Sequence, residues 1–198
     1  MIYLYSGTPG SGKSLHATKK IIQYLRLGRR VIANYPLNLT AFHLGIKERK
    51  FLYKDNTDIT PDLLIAYSHK YLKPGLEGQC VLVLDECAIM FNCRDINRND
   101  RAKWITFFQQ HRKLGYNVIL ICQFDRMLDR QIRCFIEYEI VHRKLNSAGT
   151  VGLLLSLFGI KLFMAIEKWY GVKMLTGRET FTVSKKICNA YNSYSLFQ

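Results

Sequence analysis

Gly7-Thr8-Pro9-Gly10-Ser11-Gly12-Lys13-Ser14 fits the pattern G-x-x-x-x-G-K-[ST]. Its surroundings suit that pattern. Ile2 to Tyr5 is a short apolar run that reads as a strand, and Leu15, Ile22 and Leu25 mark a helix closed by Gly28. The glycines let the chain wrap a phosphate, so that successive N–H groups point inward. The helix that begins at Lys13 adds its positive end. Lys13 is expected to reach the β- and γ-phosphates of a nucleotide, and Ser14 to hold Mg²⁺ through its hydroxyl. Gly7, Thr8, Pro9, Gly10, Ser11, Gly12, Lys13 and Ser14 together form the expected nucleotide-binding segment. The competing reading is a glycine-rich turn that binds nothing.

Working outward, RVIANY (Arg30 to Tyr35) reads as a second strand, and residues 38–58 are polar and irregular. Thr60 caps a helix with Pro61 in its first turn, running to about Tyr71. CVLVL (Cys80 to Leu84) is apolar throughout, as a strand buried on both faces reads. Trp104, Phe107, His111 and Leu114 place a helix over Arg101 to Leu114, ended by Gly115. NVILIC (Asn117 to Cys122) is another buried strand, Asp125 to Gln131 one helical turn or two, and Cys134 to Val141 a further strand. The remainder reads as β-rich, with a short helix near Ser184 to Tyr191. Strands alternating with helices predict an α/β fold of the P-loop NTPase class. Its sheet is mainly parallel and doubly wound, with flanking helices and a β-rich C-terminal extension. One domain over 1–198 is expected, with a nucleotide-binding core at 1–143 and the extension with its closing helix at 144–198.

Three further pieces belong to the expected site. Asp85-Glu86 follows the apolar strand directly, and an acid at the carboxyl end of a buried strand faces the phosphate crevice. Asp85 would bind the Mg²⁺ shell through water, and Glu86 would polarise water for in-line displacement. A capping or surface role is the alternative for Glu86. Gln123 ends the strand NVILIC and could sense the γ-phosphate or position water. Among Arg94, Arg98, Arg101, Arg112, Arg126, Arg130 and Arg133, the first choice for a finger entering a neighbour's site is Arg112, with Arg133 and Arg94 behind it. There is no N-K-x-D, and no D-x-x-G at the second motif, so a GTPase is disfavoured.

Composition bounds the partner. The 198 residues carry 29 Lys and Arg against 15 Asp and Glu, a net charge of +14. An enzyme of small neutral metabolites has no need of that excess; it points to nucleic acid, phospholipid headgroups or an acidic protein. RDINRNDRAK (Arg94 to Lys103) could contact phosphates or be an exposed loop. The six cysteines sit mostly in apolar runs, form no C-x-x-C pair and read as small buried hydrophobes rather than a zinc site. His111 reads as a packed core histidine. No signal peptide and no run of about 20 uncharged apolar residues is visible, so no transmembrane helix is expected. VGLLLSLFGIKLFMAIEKWYG (Val151 to Gly171) reads as two buried strands joined near Gly159, with an interfacial membrane hairpin as the alternative.

The P-loop at the N-terminus, the strand ending in Asp85-Glu86, HRKLGYNVILICQ (His111 to Gln123), DRQIR (Asp129 to Arg133) and the final KKICNAYNSYSLF together resemble the zonular occludens toxin (Zot) family. That family includes the assembly ATPases of filamentous phages. The resemblance implies an ATP-driven, Mg²⁺-dependent motor, working as a homo-oligomeric ring at the cytoplasmic face of the bacterial inner membrane. There it would help strip or thread single-stranded phage DNA as coat protein is added and the virion extruded. It implies phosphate contacts at Gly10, Gly12, Lys13 and Ser14, metal and water roles at Asp85 and Glu86, and a sensor at Gln123. Longer members continue into a membrane span, so this chain is expected either to be a cytoplasmic part or to dock on a membrane partner. Two other readings stay open: a P-loop kinase for a small molecule, and a non-catalytic scaffold gated by ATP.

Overall fold

The computed structural model describes residues 1–95, 97–147 and 161–191. Its centre is an eight-stranded sheet. The strands are β1 (Ile2–Ser6), β2 (Arg30–Ala33), β3 (Phe51–Tyr53), β4 (Cys80–Leu84), β5 (Tyr116–Ile121), β6 (Tyr138–Lys144), β7 (Leu162–Trp169) and β8 (Leu175–Thr182). They lie in the order β3-β2-β4-β5-β1-β6-β7-β8. All neighbours from β3 through β6 pair in parallel, and β7 and β8 continue the sheet antiparallel.

Five helices accompany the sheet among the described residues: α1 (Lys13–Arg26), α2 (Pro61–Tyr71), α3 (Arg101–Gln110), α4 (Arg130–Arg133) and α5 (Lys185–Ala190). Strand alternation divides the apolar residues between two faces. Leu82, Leu84, Ile32 and Leu120 pack with Leu64 of α2 and with Trp104, Phe107 and Phe108 of α3. Val81, Val83, Val31 and Ile119 pack with Ala17, Ile21 and Leu25 of α1, and Phe163 and Phe181 of β7 and β8 join this side with Ile187 of α5. Both faces of the parallel strands are thus covered, which is why Cys80 to Leu84 is apolar without a break. The expected α/β P-loop architecture is the one observed.

Several boundaries differ from expectation. The strand placed at Cys134 begins only at Tyr138. Asp129 caps α4 by accepting from the Gln131 N–H at 2.8 Å, and turns continue as Cys134, Phe135 and Ile136 donate to the carbonyls of Gln131, Ile132 and Arg133. Ile132 and Ile136 are both buried, a spacing of four that belongs to a helical turn and not to alternation. The irregular stretch at 38–58 contains the edge strand β3, parallel to β2, which is too short to show a period. Cys80, Cys87 and Cys122 are buried as expected, but Cys93 is half-buried and Cys134 and Cys188 are exposed; all six are free thiols. His111 is a packed core residue, its Nδ1 2.6 Å from the Phe108 carbonyl. The second half of the expected apolar hairpin lies in β7; Val151 to Ile160 lie outside the described residues. No described helix is long and apolar enough to cross a membrane.

Candidate nucleotide-binding site

Strand order builds the site. β5 lies between β1, which feeds the glycine loop, and β4, which feeds the acids. The three carboxyl ends therefore meet at one edge of the sheet. Gly7 N–H donates to the Gln123 carbonyl at 3.1 Å, which fixes the start of the loop against the end of β5.

The loop is shaped by its glycines. Gly7 has φ 141°, and a Cβ there would stand 2.5 Å from the His142 carbonyl oxygen of β6. Gly12 has φ 90°, and a Cβ there would meet the Phe163 ring at 2.9 Å. Side chains are therefore excluded by backbone angle and by space at once. Thr8, Pro9 and Gly10 form an exposed crest, whereas Ser11 and Lys13 are buried.

The residues present fit a phosphate group. No side chain caps the N-terminus of α1, so its first N–H groups remain for a ligand. Ser11 Oγ is buried without a hydrogen-bond partner. Lys13 Nζ donates inward to the carbonyls of Gly7 and Thr8, at 2.7 and 3.1 Å. Burial lowers the Lys13 pKa, and the nearby Asp85 and Glu86 carboxylates oppose that shift. A buried ammonium whose hydrogen bonds among the described residues go to two carbonyls is suited to receive an anion.

The groups expected at a metal ion also lie together. Ser14 Oγ donates to Asp85 Oδ2 at 2.7 Å, joining α1 to the end of β4. These are the two groups that would hold Mg²⁺. Asp85 is pinned from behind by Asn34, whose Nδ2 donates to the Asp85 carbonyl at 2.7 Å and whose Oδ1 accepts its N–H at 2.6 Å. Glu86 is exposed, with a left-handed φ of 47°, and its N–H donates to Asp85 Oδ1 at 2.9 Å. The turn points the Glu86 side chain away from the core that buries Asp85.

The structure brings together the P-loop, Asp85, Glu86 and Gln123. Arg112 stands apart. It lies before β5, at the amino ends of the strands, where its guanidinium pairs with Glu137. β5 is six residues long, about 20 Å at the usual strand rise. Arg112 therefore does not reach the P-loop of its own chain. The Arg94 to Lys103 cluster is also partly neutralised, because Arg98 bonds Asp100 within the cluster, while Arg101 bonds Asp129 and Lys103 bonds Asp62 from elsewhere in the fold.

Sequence reasoning missed Asn34 and Tyr191, whose hydroxyl donates to Asp85 Oδ2 at 3.2 Å. It also missed a buried histidine pair under the loop. His16 Nδ1 and His142 Nε2 are 2.8 Å apart, and His142 Nδ1 faces the Ser6 carbonyl at 3.3 Å. Glu179, held by Lys19 and Lys20, lies 3.6 Å from His16 Nε2. Tyr191 falls in the closing segment KKICNAYNSYSLF, which carried the resemblance but assigned it no role, and each of these contacts is defined by a partner far along the chain.

Burial, more than any neighbour, holds both histidines below their ordinary pKa of 6.5. On acidification the unfolded chain takes up these protons first, near pH 6.5, while the two histidines of the folded chain stay neutral, so stability falls as the pH falls. The thermal midpoint is expected to drop between pH 7 and 5, and a His16→Gln/His142→Gln double variant to show a flatter dependence.

Comparison with known proteins decides the family. The model of "Zonular occludens toxin (Zot)" matches residues 1–198. The chain belongs to the Zot family. The Gene 1 protein of Enterobacteria phage M13 is 29% identical over 211 residues, covering 99% of this chain and 60% of that protein. The Gene 1 protein of Salmonella phage IKe is 28% identical over 204 residues, covering 99% and 55%. The chain thus spans less than two thirds of these relatives. Among solved structures, the N-terminal domain of zonular occludens toxin from Neisseria meningitidis aligns over 96% of this chain and 98% of its own, with TM-score 0.53 and 18% identity. The genome packaging NTPase B204 from Sulfolobus turreted icosahedral virus 2, in complex with ATP-gammaS, aligns over 88% and 95%, with TM-score 0.54 and 16% identity. At these identities the likeness concerns the fold, which is that of the P-loop NTPases.

Proposed function

We propose that this Zot-family chain is a Mg²⁺-dependent ATP hydrolase, the motor part of a machine for filamentous phage assembly and extrusion at the bacterial inner membrane. The observation that carries the hydrolytic reading is the Ser14–Asp85 bond with the free Glu86 carboxylate immediately beside it. Mg²⁺ held there would neutralise charge on the β- and γ-phosphates. Lys13 would leave the Gly7 and Thr8 carbonyls to meet the phosphates. Glu86 would take a proton from the attacking water, and Gln123 would orient that water or report on the γ-phosphate. The phage relatives and the packaging NTPase with the same fold support the assignment to a viral motor.

A homo-oligomeric ring supplies what one chain lacks. A finger role for Arg112 requires a neighbouring copy, since this arginine lies on the opposite edge from its own P-loop. The other partner is single-stranded phage DNA, with coat or assembly protein as a further cargo and the membrane reached through a segment or partner beyond this chain. The lining of a cleft of about 770 Å³ next to Gln123 includes Arg94, Phe124, Arg126 and Met127, with Asp125 beside them accepting from the Tyr170 hydroxyl at 3.0 Å. Neither arginine has a carboxylate partner among the described residues, and Phe124 is 55% exposed. Unpaired guanidinium groups beside an exposed ring suit phosphates and unstacked bases.

Steady-state ATP hydrolysis across protein concentration, with and without single-stranded DNA and anionic liposomes, tests the proposal. A rate per chain that rises with concentration and with DNA is expected. An Arg94→Glu/Arg126→Glu variant is expected to bind single-stranded DNA at least about 10-fold more weakly, with the salt slope reduced by about 1.4. Intact ATP binding without turnover under every condition would replace the motor by a nucleotide-gated scaffold.

A further inference from the structure

The Asp85 carboxylate accepts three hydrogen bonds. Oδ1 accepts the Glu86 N–H at 2.9 Å. Oδ2 accepts the Ser14 hydroxyl at 2.7 Å and the Tyr191 hydroxyl at 3.2 Å. A carboxylate offers about four lone-pair positions, so one is left for water in a metal's shell. Ser14 and Glu86 belong to the motifs on either side of the crevice. Tyr191 does not: it follows α5, 106 residues from Asp85.

The placement of Tyr191 is supported on several sides. Its ring meets that of Tyr35 edge-on, with centroids 5.1 Å apart and an interplanar angle of 81°. Tyr35 is itself buried. The Tyr191 N–H donates to the Ile187 carbonyl at 3.2 Å, closing the last turn of α5, and the Ala190 carbonyl accepts the Asn38 N–H at 3.0 Å. Ile187 and Tyr191 pack against the core on the α1 side of the sheet. α5 is thus seated against the sheet, and the Tyr191 hydroxyl just beyond it makes the polar contact with the metal carboxylate.

We infer that Tyr191 is a positioning residue for the metal: its hydroxyl fixes the orientation of the Asp85 carboxylate that a hydrated Mg²⁺ meets, and through it the docking of α5 is linked to metal–nucleotide binding. The inference rests on the reading of Ser14 and Asp85 as the metal pair. Linkage is reciprocal, so whatever strengthens Mg²⁺–nucleotide binding through Tyr191 also holds α5 in place, and displacing α5 weakens the metal site. A movement of the C-terminal helix would in this way reach the phosphates without touching them.

Tyr191→Phe removes the hydroxyl and keeps the ring against Tyr35. Affinity for a fluorescent, non-hydrolysable ATP analogue is measured with Mg²⁺ and again with EDTA. The variant is expected to bind about 10-fold more weakly with Mg²⁺, the scale of a lost hydrogen bond to a carboxylate, and unchanged in EDTA. Equal affinity to wild type in Mg²⁺, or an equal loss in both conditions, overturns the positioning role. Hydrogen exchange gives a second readout. In the wild type the amides of 186–190 are expected to exchange more slowly with Mg²⁺ and the analogue than with the analogue in EDTA, and in Tyr191→Phe the two conditions should agree. Asp85→Asn separates the two levels of the reading. If it loses the preference for Mg²⁺ while Tyr191→Phe keeps it, Tyr191 alone fails; if Asp85→Asn also keeps it, the metal pair itself is wrong.

Discussion

Glu86→Gln is expected to bind Mg²⁺–ATP as the wild type does and to hydrolyse it about 10²–10⁴ times more slowly, the usual range for losing a general base. The geometry separates binding from turnover. The Glu86 side chain is exposed and contributes nothing to the core, while its N–H, which the substitution leaves intact, continues to orient Asp85. The left-handed φ of 47° is backbone strain at a residue with a Cβ, a feature that persists only where the surroundings impose it. Here the surroundings are the buried Asp85 on one side and the buried Cys87 on the other, whose N–H is held by the Ile121 carbonyl at 3.0 Å. The neutral amide is close in size and cannot accept a proton from water. Single-turnover hydrolysis beside equilibrium binding checks this, and an unchanged rate would remove Glu86 from the chemistry.

Gly7→Ala is expected to abolish tight nucleotide binding and to destabilise the chain by about 2–4 kcal/mol, combining the ordinary costs of backbone strain and of overpacking. The added methyl would stand 2.5 Å from a main-chain carbonyl of β6 and 2.8 Å from Ser11 Oγ. The carbonyl belongs to the sheet and cannot swing aside as a side chain would. Relief requires β1 and β6 to part or the loop to lift, and lifting breaks the Gly7 N–H bond to Gln123. Gly10→Ala is a useful contrast, because a Cβ there meets nothing within 4 Å although its φ is 72°. It should keep more stability than Gly7→Ala. Thermal unfolding and nucleotide titration of the pair measure both effects.

The elements of the candidate site were legible in sequence to the extent that they are contiguous. The glycine loop, Lys13 and Ser14 lie within eight residues, and Asp85 and Glu86 are adjacent at the end of an apolar strand. Such groups are placed by local geometry, a turn and a helix start or the end of a strand, and local geometry is what spacing reports. The P-loop NTPase fold followed from the same reading, because unbroken apolar strands need cover on both faces. The start of β6 was misread for the same reason in reverse: Cys134 to Ile136 looks apolar enough for a strand, but Ile132 and Ile136 face one way only as a helical turn.

What the amino-acid sequence marked by itself was a set of groups at one crevice: the glycine loop with Lys13 and Ser14, and the adjacent carboxylates of Asp85 and Glu86. Only the tertiary structure decided what holds those groups and what lies beyond their reach. Asn34 clamps Asp85 because β2 and β4 are neighbours in parallel register, and Tyr191 touches Asp85 because α5 packs beside α1. His16 meets His142 across 126 residues because β6 is added next to β1. Arg112 is kept from its own P-loop by the length of β5. Strand order and register fix the Asn34 and histidine contacts, helix packing the Tyr191 contact and strand length the distance of Arg112; all four are set by the packing of whole elements, for which no single stretch of sequence carries a signal.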